Sequence, residues 1–262
     1  MPARISRADK SSSRPCLPDF ERLFDRDRLV RGIDRRIADR KQAAPGNLCG
    51  RAAPSEIAPE AASYPFIYSA DDRVDLGRML ERHHPDPSDR LGAWARAFVR
   101  GSRTDTQALL ADLNAGVKSS ISYQSRETEG TQTPVETLDR GSGSCRDLAM
   151  LLIEAARCLG FGARVVTGYL YNPSADGGDT AVTGVGATHA WADIYLPGVG
   201  WIAYDPTNGT VSGANLIRVA VTRDISQAVP IAGSFVGGSG DYLGMTVDVA
   251  VILERHAAAR SG

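Results

Sequence analysis

The chain has 262 residues, 30 basic and 31 acidic side chains and a formal net charge of -1, with 42% hydrophobic and 23% charged residues. That composition supports one large domain or two small ones with a real core, and it excludes wholesale disorder, a collagen-like repeat and a coiled coil. The near-zero charge exerts no global pull toward nucleic acid or membrane, and four cysteines, at 16, 49, 145 and 158, are too few and too scattered for a disulfide framework.

The balance hides an asymmetry. Residues 1–60 carry 13 basic and 9 acidic side chains, a net +4, which leaves 17 and 22, a net -5, for the rest. The same 60 residues hold six of the 14 prolines and few large apolar side chains, so they read as a poorly ordered Arg/Pro-rich leader that cannot offset its ordering entropy. Only residues 19–40 offer a polar helix, with Phe20, Leu23, Leu29 and Ile33 on one side. Arginine is abundant along the whole chain and lysine occurs only at 10, 41 and 118, a compositional skew that gives no ground for a nucleic-acid partner. The start, MPARISRADKSSSRP, has no apolar run behind it, and residues 148–156 are too short and too charged at Glu154 for a span of about 18 residues. A soluble, cytoplasmic protein with no membrane association is expected.

A folded domain is expected over 61–256, with a short tail at 257–262. Three helices come first. Residues 71–82 carry Val74, Leu76, Met79 and Leu80; residues 89–100 carry Leu91, Trp94, Phe98 and Val99 and stop at Gly101; the third has Thr104 or Asp105 as N-cap and runs through Leu109, Leu110 and Leu113 toward Val117. An extended piece at 120–124 and a polar loop at 125–134 follow. A Gly/Ser turn then opens an apolar helix with Leu148, Leu151, Leu152, Ala155 and Leu159 at helical spacing and Gly160 as its stop. Strands are expected at 163–171, at two runs on either side of the Pro197-Gly198 turn, and at 216–222 and 245–253. The period of two puts His189, Trp191, Asp193 and Tyr195 on one strand face.

Cys145 sits where the GSGS turn meets the helix, so unpaired backbone N–H groups and the helix dipole favour a thiolate there and could also hold an oxyanion. The plain alternative is a small buried hydrophobe, which most cysteines are. What favours chemistry is the company. His189 follows 44 residues later at the start of a strand, and Asp205 another 16 residues on, before a Pro-Thr-Asn-Gly turn. Pairing the two strands brings Asp205 level with 191–193, so contact with His189 needs a small offset. Trp191 could wall the site or serve the core, and Trp201 and Tyr204 read as packing between strands. Asp147 suits the first-turn dipole, and Arg146 beside it either favours the thiolate or is solvated. Cys158 lies 13 residues along the helix from Cys145, about 20 Å by the helical rise, so it is a core thiol and no disulfide partner. Cysteine, histidine and aspartate are also zinc-ligand types, but there is no CxxC, HxxxH or HExxH and no EF-hand loop, so neither a metal nor a cofactor is expected.

The stretches SCRDLAMLLIEAARCLGFGARVVTGYL and HAWADIYLPGVGWIAYDPTNG resemble the core of the transglutaminase-like superfamily, bacterial branch, and similarity in character extends from about 64 to 253. The resemblance implies an α+β, papain-like core with helices packed on an antiparallel sheet and the nucleophile at the N-terminus of a central helix. It also implies Cys145 as nucleophile, His189 as general base and acid, and Asp205 as the group that orients the imidazole. The expected activity is acyl transfer from a peptide or protein amide through a thioester. Hydrolysis, as in a cysteine protease or amidase, is slightly favoured over protein-glutamine gamma-glutamyltransferase cross-linking. From another class, the fold could serve as a catalytically idle binding module. Larger bacterial relatives carry a β-rich domain ahead of the core, which residues 1–60 do not resemble.

Overall fold

The chain divides into two units, Met1–Pro54 and Ser55–Gly262. The computed structural model describes residues 56–126, 130–171, 188–213, 215–228 and 236–238, all within the second. The leader helix expected at 19–40, the strand at 245–253, the tail, Cys16 and Cys49 lie outside the described residues.

Five α-helices and nine strands occur among the described residues: α1 Ala70–Leu76, α2 Arg90–Arg96, α3 Thr106–Ser120, α4 Pro134–Arg140 and α5 Cys145–Cys158, with β1 Ser63–Tyr64, β2 Thr104–Asp105, β3 Ser122–Tyr123, β4 Ser142–Gly143, β5 Ala163–Leu170, β6 Thr188–Leu196, β7 Gly200–Asp205, β8 Thr210–Val211 and β9 Leu216–Thr222. The last five form one antiparallel sheet in the order β8-β7-β6-β5-β9. β1 and β2 form an antiparallel pair, and β3 and β4 a parallel one. The architecture is α+β, a helical layer on an antiparallel sheet. No described helix is long and apolar enough to cross a membrane.

α5 is the axis of the core. Only Arg146 and Cys158 of its 14 residues escape burial, and the helix packs on β5 and β6 on one side and on α2, α3 and α4 on the other. A helix with apolar side chains on nearly every face must be enclosed in this way. Its two buried charges near the C-terminal end are compensated: Arg157 pairs with Glu154 at 2.7 Å and donates to the carbonyls of Met79, Ala163 and Arg223. The second Glu154 oxygen accepts from the backbone N–H groups of His83 and His84. A buried ion pair with both carboxylate oxygens engaged avoids the penalty of a stranded charge. Gly160, at φ 86°, ends the helix and lets the chain turn into β5.

Local chemistry explains the other boundaries. α1 is capped by Ser69, whose hydroxyl accepts from the Asp72 N–H at 3.0 Å, and stops at Gly77, a residue with φ 46°, after which a 3-10 turn continues to Leu80. The expected single helix over 71–82 is therefore split. α2 starts one residue later than the 89–100 expected, where Asp86 accepts from the free N–H groups of Arg90, Leu91 and Gly92 and Asp89 stands in a left-handed conformation. It also ends four residues sooner, because beyond Arg96 the Phe98 and Val99 N–H groups bond three residues back, to the Ala95 and Arg96 carbonyls. α3 follows the expectation, with the Asp105 carboxylate accepting from the Ala108 N–H at 2.8 Å. α4 is a helix where the sequence reading placed only the end of a loop. Thr133 and Glu136 form a reciprocal capping box around Pro134 at the first position, a T-P-x-E signature that the sequence carries.

Candidate active site

The site is built from one helix start and two adjacent strands. Cys145 is the first residue of α5, 9% exposed, in a small apolar nest with Ala149 and Ala190. His189 is the second residue of β6 and Asp205 the last of β7, each 1% exposed. The β6–β7 register runs from Leu196↔Gly200 to Ala192↔Tyr204. One step further, Asp205 faces Trp191, and His189 lies two residues along the same face, in the diagonal position that a histidine can span. The offset anticipated from spacing is thus supplied by a side chain rather than by a register slip.

His189 Nε2 stands 2.9 Å from Asp205 Oδ2. The Asp205 carboxyl is the better settled partner. Burial alone would raise its pKa, but hydrogen bonds and charge from His189 and hydrogen bonds from Asn208 hold it below the ordinary carboxylate value, so it is ionised. An ionised carboxylate only accepts, so Nε2 carries the proton and the lone pair of the neutral ring belongs to Nδ1. Nδ1 has no hydrogen-bond partner among the described residues, yet Cys145 acts on the ring from close by. Burial pulls the His189 pKa down, while the hydrogen bond to Asp205, the pull of the Cys145 thiol and the charges of both push it up to about 9. Contacts of this kind are long in unliganded sites and tighten when substrate arrives.

Asp205 is itself held in place. Its Oδ1 accepts from the backbone N–H groups of Thr207 at 3.0 Å and Asn208 at 3.3 Å, and its Oδ2 accepts from Asn208 Nδ2 at 2.8 Å. The Asp-Pro-Thr-Asn-Gly turn closes with Gly209 N–H on the Asp205 carbonyl at 2.7 Å, at a glycine with φ 70°. α3 braces that turn, with Lys118 Nζ donating to the Asn208 carbonyl at 2.7 Å. Trp191 is fully buried, and its ring lies against the imidazole, centroids 6.1 Å apart and 26° between planes. It backs His189 rather than lining an open cleft.

Residues that the sequence reading did not single out also converge here. Asn208 is one; the Asx-type turn D-P-T-N was the available signal. Tyr123 is another, 36% exposed, with a hydroxyl whose pKa is raised by burial and by the nearby Cys145. It arrives because β3 runs parallel to β4, placing Tyr123 opposite Gly143, two residues before Cys145, a pairing that no local pattern foretells. At the far end of α5, burial pushes the Cys158 thiol up to about 11. No cluster of three or more metal-ligating side chains occurs among the described residues.

The candidate site thus holds a thiol at a helix start, an imidazole and an ionised carboxylate, in that order along the chain, on an α+β fold. Residues 92–206 match the family model of the transglutaminase-like superfamily core, a stretch that contains Cys145, His189 and Asp205, so the matched stretch is transglutaminase-like. The uncharacterized protein Rv2569c of Mycobacterium tuberculosis is 31% identical over 175 residues, covering 65% of this chain and 55% of that protein. The uncharacterized protein ML0607 of Mycobacterium leprae is 31% identical over 135 residues, 50% of this chain and 46% of that protein. The chain thus spans about half the length of the curated relatives it matches. Among solved structures, a candidate cysteine protease of Cytophaga hutchinsonii is 26% identical, with a TM-score of 0.49 over 64% of this chain and 53% of that one.

Proposed function

We propose that this chain is a thiol enzyme that transfers the acyl group of a peptide or protein amide through a Cys145 thioester, with water as the acyl acceptor. The observation that carries the reading is the buried 2.9 Å contact between His189 and an ionised Asp205, with Cys145 acting on the same ring. In this reading the thiol proton already rests on Nδ1 of His189, a ring held protonated up to about pH 9, and the thiolate attacks the amide carbonyl carbon. The tetrahedral oxyanion is held by backbone N–H groups at the start of α5. As it collapses the C–N bond breaks, and the imidazolium gives its proton to the departing amine. Water then attacks the thioester, His189 takes its proton, and the thiolate is restored as the carboxylic acid leaves. Asp205 stays ionised throughout and stabilises the imidazolium. Water is assigned as acceptor because it needs no second binding site.

The test offers a glutamine peptide with and without a labelled primary amine and follows ammonia release, chain cleavage and amine incorporation. Hydrolysis predicts cleavage or ammonia release without dependence on the amine, lost in Cys145→Ala. Incorporation of the amine in preference to water would replace hydrolysis by transamidation. Absence of every product, together with Cys145 alkylating no faster than Cys158, would make the fold an idle binding module.

A further inference from the structure

Asp147 is fully buried two residues after the nucleophile, and all the room around its carboxylate is taken by donors. Oδ2 accepts from the Ser144 N–H and the Ser144 hydroxyl, both at 2.8 Å. Oδ1 accepts from the Gln132 N–H at 2.7 Å and from Arg126 Nη2 at 2.9 Å. The same guanidinium nitrogen donates to the Gly130 carbonyl at 2.9 Å, and the Arg126 carbonyl accepts from Arg146 Nη2 at 3.4 Å. The carboxylate can approach this closely because residue 143 is glycine; a Cβ there would lie 2.8 Å from the Asp147 Cβ.

A helix cap needs only the Ser144 half of this arrangement. The other half ties down a different segment. Residues 122–126 run beside the nucleophile's own approach, joined to it by the β3–β4 pairing and by the Gln124 N–H on the Gly143 carbonyl at 2.8 Å, and Arg126 fastens their far end to Asp147. Tyr123, close enough to Cys145 to feel its charge, sits at the strand-paired end of that fastened segment. We propose that Asp147, acting through Arg126, is a positioning residue: it holds the Tyr123–Arg126 wall against the start of α5 so that a peptide carbonyl meets the sulfur in register. The inference rests on Cys145 being the nucleophile of the proposed function, but it concerns how substrate is held, not how the thiol is activated.

Two electrophiles separate those roles. Iodoacetamide reads the reactivity of Cys145 alone, whereas a peptide bearing an electrophilic glutamine analogue must also be positioned. In Arg126→Gln the peptide reagent is expected to label Cys145 at least about tenfold more slowly, since small misplacements near a reacting centre cost up to about 100-fold. Iodoacetamide labelling should stay within about twofold, and the protein should stay folded with a lowered thermal midpoint, because Asp147 loses its cation while keeping its Ser144 and Gln132 donors. Arg126→Lys, which keeps a cation by the carboxylate, should restore most of the lost rate. Asp147→Asn should follow Arg126→Gln with a lower midpoint; if it does not fold, Arg126→Gln decides alone. Equal labelling by the peptide reagent in Arg126→Gln and the wild type, or a parallel fall with both reagents, overturns the inference. Neither rate requires turnover, so failure of the amide assay would sink the proposed reaction without obscuring this result.

Discussion

At the scale of single residues, the site is decided by opposing effects of burial and charge. His189 is almost wholly enclosed, which by itself favours the neutral ring. The Asp205 carboxylate and Cys145 reverse that preference, and the pKa settles at about 9. Replacing Asp205 by Asn removes the charge while keeping the shape. The expected result is a His189 pKa at or below the ordinary histidine value, so the alkaline limb of the kcat/KM profile, near pH 9 in the wild type, moves toward neutrality. Turnover should fall by about 100-fold or more as the imidazolium loses its stabilising partner. A pH profile of Asp205→Asn that superimposes on the wild type would contradict this account. Asn208 was the hardest of these residues to read beforehand, because its contribution is a side-chain amide turned back on Asp205, and asparagine in a turn ordinarily needs no such explanation.

At the scale of elements, the strand that carries His189 depends on a residue with no side chain. Gly168 of β5 pairs with His189 of β6, and a Cβ at 168 would lie 1.9 Å from the Ile217 carbonyl oxygen and 3.1 Å from the Trp191 ring. β5 and β9 shift register between Thr167 and Gly168, which brings that carbonyl so close. Gly168→Ala therefore cannot be absorbed by a side-chain rotation and must displace backbone. A loss of about 1–3 kcal/mol in chemical denaturation is expected, with a fall in turnover larger than the stability loss explains, because the imidazole moves with its strand. A variant as stable and active as the parent would show that the sheet gives way freely here. The elements themselves were legible to differing degrees. α5, β5, β6, β7 and β9 stand close to where periodicity and turn residues put them, because each is long enough for its pattern to average out local exceptions. α1 and α2 were drawn too long, since Gly77 breaks the first and the last turn of the second tightens into three-residue bonds, and apolar spacing reports neither. β3 and β4, two residues each, exist only by virtue of each other.

At the scale of the whole molecule, two histidines at opposite ends of α5, His189 buried and His83 half-buried, give stability a pH optimum. His189, near the N-terminal end, has a folded pKa above its unfolded value, so its contribution is complete below about pH 6.5 and is lost as pH rises through about 9. His83, near the C-terminal end, has the opposite sign. Burial, with Arg157 and Arg223 beside it, holds its pKa below the ordinary value against the weaker pull of Glu154. Its contribution is therefore present above about pH 6.5 and declines as pH falls toward the folded value. Asp205, with a lowered pKa, adds to the acid loss at still lower pH. Denaturant unfolding across pH 4–10 is expected to give a maximum near neutrality, with His189→Ala flattening the alkaline side. A stability that climbs steadily to pH 9 would refute the assignment of His189.

By itself the sequence determined the order and type of the main elements and put forward the three groups of the candidate site. Those depend on short-range rules: apolar period, a Gly/Ser turn before a helix, a Pro-Gly turn between strands, and motif flanks that resemble one superfamily. Only the tertiary structure decided which groups act on the three. The β6–β7 register sets Asp205 diagonal to His189, the α3 brace holds the Asn208 turn, and Asp147 faces Arg126 across 21 positions of chain. Such partners are chosen by the packing of distant segments, where the cost of leaving a buried charge or N–H unpaired selects a mate that no local pattern names.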